Sequence, residues 1–488
     1  MRIHVVGVSG TGMGALAGLL LELGHEVSGS DVAFDPPMGP ALESWGVRCL
    51  RGFDPAHLEP APELVGVGNV CRRDNPEAVA AHERGLEVTH IAGALARFVL
   101  EGSSPLVVAG THGKTTTTAL ATWLLERAGL EPGFLVGGLP RAGDRSFRAP
   151  ARRQRLAALG GAMRRAPFVI EGDEYDTAYF EKTAKFLHYR PEVAIVTSVE
   201  HDHVDIYPTL ESYLEAFRRF VALVPESGLV VACAQEPLVV KIVGEAARAQ
   251  VAWYALEGED THGMPPHWLA APAATAGGVQ TFDLYAGGVS CGRLALPIPG
   301  RHNVLNATAA IAAVTQGFGV RLTDAAPALA SFPGVRRRQE LLGAPAGVAV
   351  YDDFAHHPTA VRETLAALAS RHPEARLLVA FEPRSATACR RLHQEAYAAA
   401  FDGAAGVYLA PLGRTNLPPA EALDLGRLVS DLTDRGRAAR ACGSLDELVS
   451  AIVGEARPGD VIALLSNGAF GGVHARVLSA LQAREPPG

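Results

Sequence analysis

The sequence predicts an α/β protein built as three successive units, and three observations lead there. Strand-like apolar runs alternate with helical patterns along the chain. Two of the strands run directly into glycine-rich turns that open helices. The 488 residues are too many for one ordinary core, which sets two to four domains as the expectation.

The first unit opens with a buried-strand pattern at 3–7, then the turn Gly7-Val8-Ser9-Gly10-Thr11-Gly12-Met13-Gly14, then a helical run at 15–23. A second strand at 26–30 ends at Asp31, completing a βαβ pattern of Rossmann type. Gly102-Ser103-Ser104-Pro105 marks a fresh start, so the first boundary is expected near residue 103. The second unit has a strand at 106–109, a glycine turn, a helix at 116–128, strands at 168–171, 194–198 and 229–232, and an alanine-rich helix at 301–316. Pro333-Gly334 closes it, and strands at 348–351, 376–381, 406–410 and 460–465 form a third α/β unit. The expected domains are therefore 1–103, 104–333 and 334–488. Residues 141–165 read as an irregular basic insertion with room for a helix, and their role stays open.

Composition narrows the class. Hydrophobic residues make up 48% and charged residues 20%, a globular balance. A formal net charge of −8 gives no field for holding nucleic acid or an anionic membrane. Six cysteines are scattered with no two at C-x-x-C spacing, so neither a zinc site nor a disulfide framework is suggested. Apolar runs such as 15–23 contain Gly18 and Glu22 and are too short to span a bilayer. A cytoplasmic monomer or weak homodimer acting on small molecules is the expectation.

The strongest motif is Gly110-Thr111-His112-Gly113-Lys114-Thr115-Thr116, between a strand and a helix. A phosphate chain needs inward-pointing N–H groups, which glycines allow by close approach. It also needs a cation, here Lys114, and a hydroxyl for Mg²⁺, here Thr115; the helix adds its positive end. The full P-loop pattern asks for glycine where Val108 stands. A nucleoside triphosphate implies Mg²⁺, and two clusters at strand ends offer ligands: Glu171, Asp173, Glu174 and Asp176, then Glu200-His201-Asp202-His203-Val204-Asp205. With histidine present, zinc is also open.

The first glycine turn, with Gly10, Thr11, Gly12 and Met13, suits a dinucleotide or the diphosphate of another nucleotide, and Asp31 stands where a ribose-binding acid is expected. In the third unit, Asp352-Asp353-Phe354-Ala355-His356-His357-Pro358 follows a strand; on its own it reads as a capped helix start. Arg336-Arg337-Arg338, taken alone, reads as a solvated face. The loop 466–472, with Asn467 and Gly468, suits either a substrate cradle or a turn.

Together, 110–116, 171–176, 200–205, Gly300-Arg301-His302-Asn303 and 352–358 resemble the Mur ligases of bacterial cell-wall synthesis, in order and spacing over nearly the whole chain. Gly68-Asn69-Val70 with Asn75-Pro76, 173–180, 185–191, 381–385 and 466–472 are similar to the branch that recycles wall peptide. The resemblance implies three domains: a UDP-sugar-binding Rossmann-like domain, a P-loop-type ATPase domain and a C-terminal Rossmann-like domain. It also implies a reaction, in which UDP-N-acetylmuramate is joined to the tripeptide L-alanyl-γ-D-glutamyl-meso-diaminopimelate. ATP and Mg²⁺ serve it, and the muramate carboxylate passes through an acyl phosphate. The alternative within the family adds L-alanine instead.

Carried over, the likeness implies that Lys114 bridges the β- and γ-phosphates, Thr115 and Glu171 hold one Mg²⁺, and His203 holds a second. Asn303 with His302 would sit at the adenine, and Arg338 and Asp353 would reach over from the C-terminal domain. Gly10, Thr11, Gly12, Met13 and Asp31 would hold the UDP-sugar, and Arg384, Asn467 and Gly468 the peptide. Gly172 stands where the pattern has alanine, and no carbamylated lysine is assignable. A nicotinamide oxidoreductase built on the first turn, or a catalytically silent nucleotide-binding module, are the readings from other classes; the set Lys114, Glu171 and His203 speaks against both.

Overall fold

A computed structural model describes residues 1–151, 165–414 and 416–484. Of the 141–165 insertion, 152–164 lie outside the described residues, including the helix expected there. Three large sheets follow one another along the chain, with a two-stranded antiparallel ribbon of Asp176–Ala178 and Glu181–Ala184 besides.

The first has five parallel strands in the spatial order Arg48–Arg51, Glu26–Asp31, Arg2–Val6, Leu64–Val67, Val88–His90. Chain direction across the sheet reverses beside Arg2–Val6, and ligands collect at such a switch point. The glycine turn leaves this strand there and opens the helix Thr11–Glu22. Gly7 takes φ +79°, and a Cβ on it would crowd Cys71 Sγ at 3.1 Å.

The second sheet has ten strands. Its parallel heart runs Gln250–Leu256, Leu229–Cys233, Val193–Val196, Ser104–Ala109, Pro167–Gly172, Gly133–Leu135. These are β-branched runs buried on both faces, which is what helices on either side of a parallel sheet demand. Beyond Gln250–Leu256 the chain adds Trp268–Ala276, Val279–Ala286 and Val289–Leu296, the last two pairings antiparallel. The sequence reading missed these three.

The third sheet places Glu340–Gly343 antiparallel at its edge, then Ala349–Asp353, Val461–Leu465, Leu377–Phe381, Gly406–Leu409 and Ala438–Ala441 in parallel.

The cores are not divided equally. One hydrophobic cluster runs from Ile3, Val5 and Leu16 of the first unit into Val107, Phe168, Phe186 and Phe217 of the second. Phe147, on the short strand Phe147–Arg148, lies against the helix Thr11–Glu22; a Cβ on Gly18 would fall 2.0 Å from its Cζ. Its ring meets Trp45 edge-on at 4.8 Å, Arg145 donates to Glu22 at 2.9 Å, and the Ala149 N–H donates to the same carboxylate at 2.7 Å. So the described part of the basic insertion fastens the first unit to the second. The third unit has its own two clusters, centred on Val379 and Phe381 and on Ile462 and Leu464.

All six cysteines are free thiols, four of them buried. Among the described residues no helix is long and apolar enough to cross a membrane.

Candidate active site

The phosphate loop leaves the strand Ser104–Ala109, and the helix Lys114–Arg127 follows it. Val108, where the P-loop pattern asks for glycine, is instead a buried strand residue. The two loop glycines are sterically required. Gly110, at φ +136°, would place a Cβ 2.0 Å from Thr197 Oγ1, and Gly113, at φ +79°, would place one 2.4 Å from Asn306 Oδ1. The neighbouring strands bring in the two acidic clusters: Glu171 lies opposite Val108 in the register on one side, and Val196 lies opposite Ala109 on the other. Both clusters therefore leave the sheet at the edge where Lys114 begins its helix.

Lys114 Nζ donates to the Gly110 carbonyl at 2.6 Å and to Glu174 Oε2 at 2.9 Å. Glu174 is almost fully buried and also accepts from Tyr213 Oη at 3.3 Å, with His203 Nε2 at 3.3 Å. Burial opposes the carboxylate's charge, but Lys114 and then His203 outweigh it and hold Glu174 well below the ordinary range. His203 is raised in turn: burial works against its charge, and the hydrogen bond and charge of Glu174 overcome that. Thus Glu174, which the sequence reading left without a role, joins two of the expected catalytic residues.

Thr115 Oγ1 donates to Glu171 Oε2 at 3.1 Å, while Glu171 also accepts from the Gly137 N–H. Burial, and next the charge of Asp173, push Glu171 up to about 7 despite that hydrogen bond and Arg338. The structure brings Thr115 and Glu171 into contact but gives His203 to Glu174.

Arg338 arrives from the third unit. Its Nη2 donates to Thr115 Oγ1 at 3.0 Å, across 223 residues of chain, and its guanidinium lies 4.9 Å from the Phe354 ring centre. Arg337 donates to the carbonyls of Ser466 and Gly468, each at 2.7 Å. Of the basic run only Arg336 is exposed, which corrects the solvated-face reading: Arg338 bridges two units and Arg337 holds the loop of Ser466 and Gly468 within the third. Asp353 accepts from the Gln339 N–H at 2.7 Å and the Ala355 N–H at 2.8 Å, and His357 caps the helix Pro358–Arg371. The capped helix start and the site are thus one feature.

A cavity of about 380 Å³ lies between the second and third units, lined by His112, Gly113, Thr115, Thr116 and, from the other side, Arg338 and Asp353. His302 and Asn303 also line it, with Tyr254, Leu256 and Ile298. Asn303 donates to the Pro299 carbonyl at 2.8 Å. Gln339 Oε1, buried at the cavity wall, has no hydrogen-bond partner among the described residues, and His302 Nδ1 has only Glu363 Oε2, 3.7 Å away. An apolar end with an unpartnered amide oxygen, leading to the start of the helix that Lys114 opens and to Arg338, fits a nucleoside triphosphate. The donor set of Thr115 and Glu171, all oxygen, fits Mg²⁺.

At the first turn, Gly10, Thr11 and Gly12 are exposed at the helix start, as an anion site requires, while the Met13 side chain is buried. Asp31 accepts from the Ser9 N–H at 2.9 Å. The Ser30 carbonyl accepts from the N–H groups of Gly7 at 2.8 Å and Val8 at 3.1 Å, and the Ser30 hydroxyl donates to buried Glu77. Glu77 is bound further by His57 Nδ1 at 2.7 Å and His4 Nε2 at 3.3 Å. A second link between units is made by Asn69, whose Nδ2 donates to Asp176 Oδ1 at 3.0 Å. Arg384 lies across Gly468, where an added Cβ would meet its Nη1 at 1.7 Å, and neighbouring Asn467 has a buried Oδ1 without a partner among the described residues.

The fold and this site define an enzyme in which a phosphate loop is completed by a basic residue from the next domain. The chain belongs to the Mur ligase family, ATP-dependent ligases that form C–N bonds: residues 2–102 match "Mur ligase family, catalytic domain", 108–314 "Mur ligase middle domain" and 337–468 "Mur ligase, glutamate ligase domain". It is 38% identical to the UDP-N-acetylmuramate–L-alanyl-γ-D-glutamyl-meso-2,6-diaminoheptandioate ligase of Escherichia coli K12, over 99% of this chain and 98% of that one. It is 37% identical to the UDP-N-acetylmuramate–L-alanine ligase of Roseiflexus, over 96% of each. Among solved structures, a murein peptide ligase from Psychrobacter arcticus is similar at TM-score 0.72 and 32% identity, with each chain covered in full.

Proposed function

We propose that this enzyme joins UDP-N-acetylmuramate to the tripeptide L-alanyl-γ-D-glutamyl-meso-diaminopimelate, in the cytoplasm, at the expense of ATP. The observation that carries the ligase chemistry is the meeting of Thr115 and Arg338 in the wall of one cavity, with Glu171 bonded to Thr115 and Lys114 opening the same helix. The substrate reading rests on the relatives named for that tripeptide, matched at 38% and 36% identity over 99% of this chain. Domains at 1–103, 104–333 and 334–488 are part of the same reading.

A carboxylate is a poor acyl donor, and ATP supplies the phosphoryl group that turns it into an acyl phosphate. Lys114 would exchange Glu174 for the β- and γ-phosphates and steady the charge that develops as the γ-phosphoryl moves. Thr115 and Glu171 would hold Mg²⁺, which neutralises phosphate oxygens. His203 would hold the second Mg²⁺ through a neutral ring nitrogen, giving up its present pairing with Glu174. Arg338 directs its planar donors at the same place from the third unit, and Asp353 would hold the ribose. His302 and Asn303 would flank the adenine. Gly10, Thr11, Gly12, Met13 and Asp31 would take the UDP-sugar, the Met13 contribution being its backbone N–H. Arg384, Asn467 and Gly468 would take the peptide, whose diaminopimelate end carries a carboxylate that a guanidinium reads in two bonds.

The test is phosphate release with UDP-N-acetylmuramate and ATP against L-alanine, the dipeptide, the tripeptide and a tetrapeptide. The tripeptide should give the highest kcat/KM. Turnover with L-alanine and none with the tripeptide would replace this reading with the alanine ligase.

A further inference from the structure

Glu200 stands just beyond the strand Val193–Val196 and bonds a lining residue on each side of the cavity, His112 and Thr359. Its backbone is tied to the phosphate loop through one hydroxyl: Thr111 Oγ1 accepts from the Glu200 N–H at 2.9 Å and donates to the Glu200 carbonyl at 3.0 Å. Its carboxylate pairs with His112 Nε2 of the same loop at 3.1 Å. His112 is itself fixed, its N–H donating to Ser198 Oγ at 3.0 Å and its carbonyl accepting from Thr197 Oγ1 at 2.6 Å.

The other face of that carboxylate belongs to the third unit. Thr359 Oγ1 lies 3.0 Å from each carboxylate oxygen, and His357 Nδ1 lies 3.2 Å away. Both residues are at the start of the helix Pro358–Arg371, and Thr359, Ala360, Glu363 and Thr364 of that helix line the cavity. The His357 imidazole is buried and burial, with His112 next, lowers its pKa to about 3, so it is neutral. Its Nε2 has no hydrogen-bond partner among the described residues, and its Nδ1 accepts from the Thr359 N–H at 3.4 Å as the cap of that helix. One side chain thus spans from the loop that cradles phosphates to the helix that covers them.

We infer that Glu200 is a positioning residue that fastens the helix Pro358–Arg371 to the phosphate loop when the third unit closes over the nucleotide. It touches no reacting atom and acts through His112 and Thr359. The inference rests on a nucleotide occupying the cavity. Because the fastening forms on closure, its loss should fall on the closed state and leave the first encounter with ATP unchanged. A charge-assisted hydrogen bond removed from that state lowers kcat about 10- to 100-fold.

The experiment compares wild type, Glu200→Ala, Thr359→Val and the double variant. It reads kcat, KM for ATP, direct ATP binding by calorimetry, and the radius of gyration by small-angle scattering with a non-hydrolysable ATP analogue and UDP-N-acetylmuramate. The expected result is a fall in kcat with unchanged ATP binding and a larger radius in the presence of the analogue. The double variant should be no slower than Glu200→Ala, since both substitutions cut the same link. Additive losses, or single variants with wild-type kcat and radius, overturn the fastening while leaving the ligase reading intact. A wild type that binds no ATP removes the reading beneath it, and the fastening falls with it.

Discussion

Replacing Arg338 tests whether the third unit takes part in the chemistry. The guanidinium makes two measurable contacts at the site, the 3.0 Å hydrogen bond to Thr115 and the stacking on Phe354 at 4.9 Å. It is half-buried, so solvent screens both contacts only in part. A hydrogen bond from a charged donor is worth about 1.5–3 kcal/mol. A guanidinium over an aromatic face adds about 0.5–2 kcal/mol. If both serve the transition state, Arg338→Ala should lower kcat/KM for ATP by roughly 30-fold to a few thousand-fold. Arg338→Lys keeps the charge but loses the planar fork and the stack, so it should recover only part of that. The assay is coupled ADP release at saturating UDP-N-acetylmuramate and tripeptide, with circular dichroism to show that the fold survives. An Arg338→Ala enzyme within threefold of wild type (well under the ~1.5 kcal/mol lower bound) refutes the assignment. Full activity in Arg338→Lys would show that a point charge suffices and that the geometry is irrelevant.

Other outcomes follow from the same contacts. Lys114→Ala should abolish turnover while calorimetric binding of UDP-N-acetylmuramate persists; loss of both would break the assignment of the two ligands to different units. Glu171→Ala should raise the Mg²⁺ concentration needed for half-maximal rate or remove activity, and an unchanged Mg²⁺ profile counts against it. Glu77 is held below the usual carboxylate range: burial alone would raise it, and the hydrogen bonds from His4 and Ser30 outweigh that. Its charged network therefore stabilises the fold above the unfolded carboxylate pKa of about 4.3 and is lost as pH falls through the lower folded value. Glu77→Gln should cost roughly 3–5 kcal/mol in urea unfolding at neutral pH and flatten the acid limb of the stability profile. Gly18→Val meets Phe147 at 2.0 Å and should destabilise by about 1–3 kcal/mol, relieved by Phe147→Leu in the same chain.

Much of this arrangement was legible in the residues because strand ends carry it. Val107 and Val108 before Gly110, and Phe168–Ile170 before Glu171, are apolar runs stopped by chemistry-bearing residues, and parallel strands deliver such stops to one edge. What was not legible depended on partners far away in the chain. Nothing near Arg338 says that it meets Thr115, so a run of three arginines looked like solvated charge. Nothing in the spacing of Glu171, Asp173, Glu174 and Asp176 ranks them; burial does, by sinking Glu174 between Lys114 and His203. The missed antiparallel strands are half exposed and include Pro272 and Gly292, which blurs their period. Their signal was the pair of two-glycine turns, Gly277-Gly278 and Gly287-Gly288.

The shared core beneath Phe147 has a mechanical consequence. Sliding the first unit against the second would drag aromatic and aliphatic surface into water, whereas the joint to the third unit is made of exchangeable polar pairs. The sugar nucleotide would therefore arrive on an anvil that does not shift, with its carboxylate already aligned to the phosphate cradle. The last third of the chain would be the hammer, held by pairs that can be remade as it brings the amine-bearing partner in after the acid has been set.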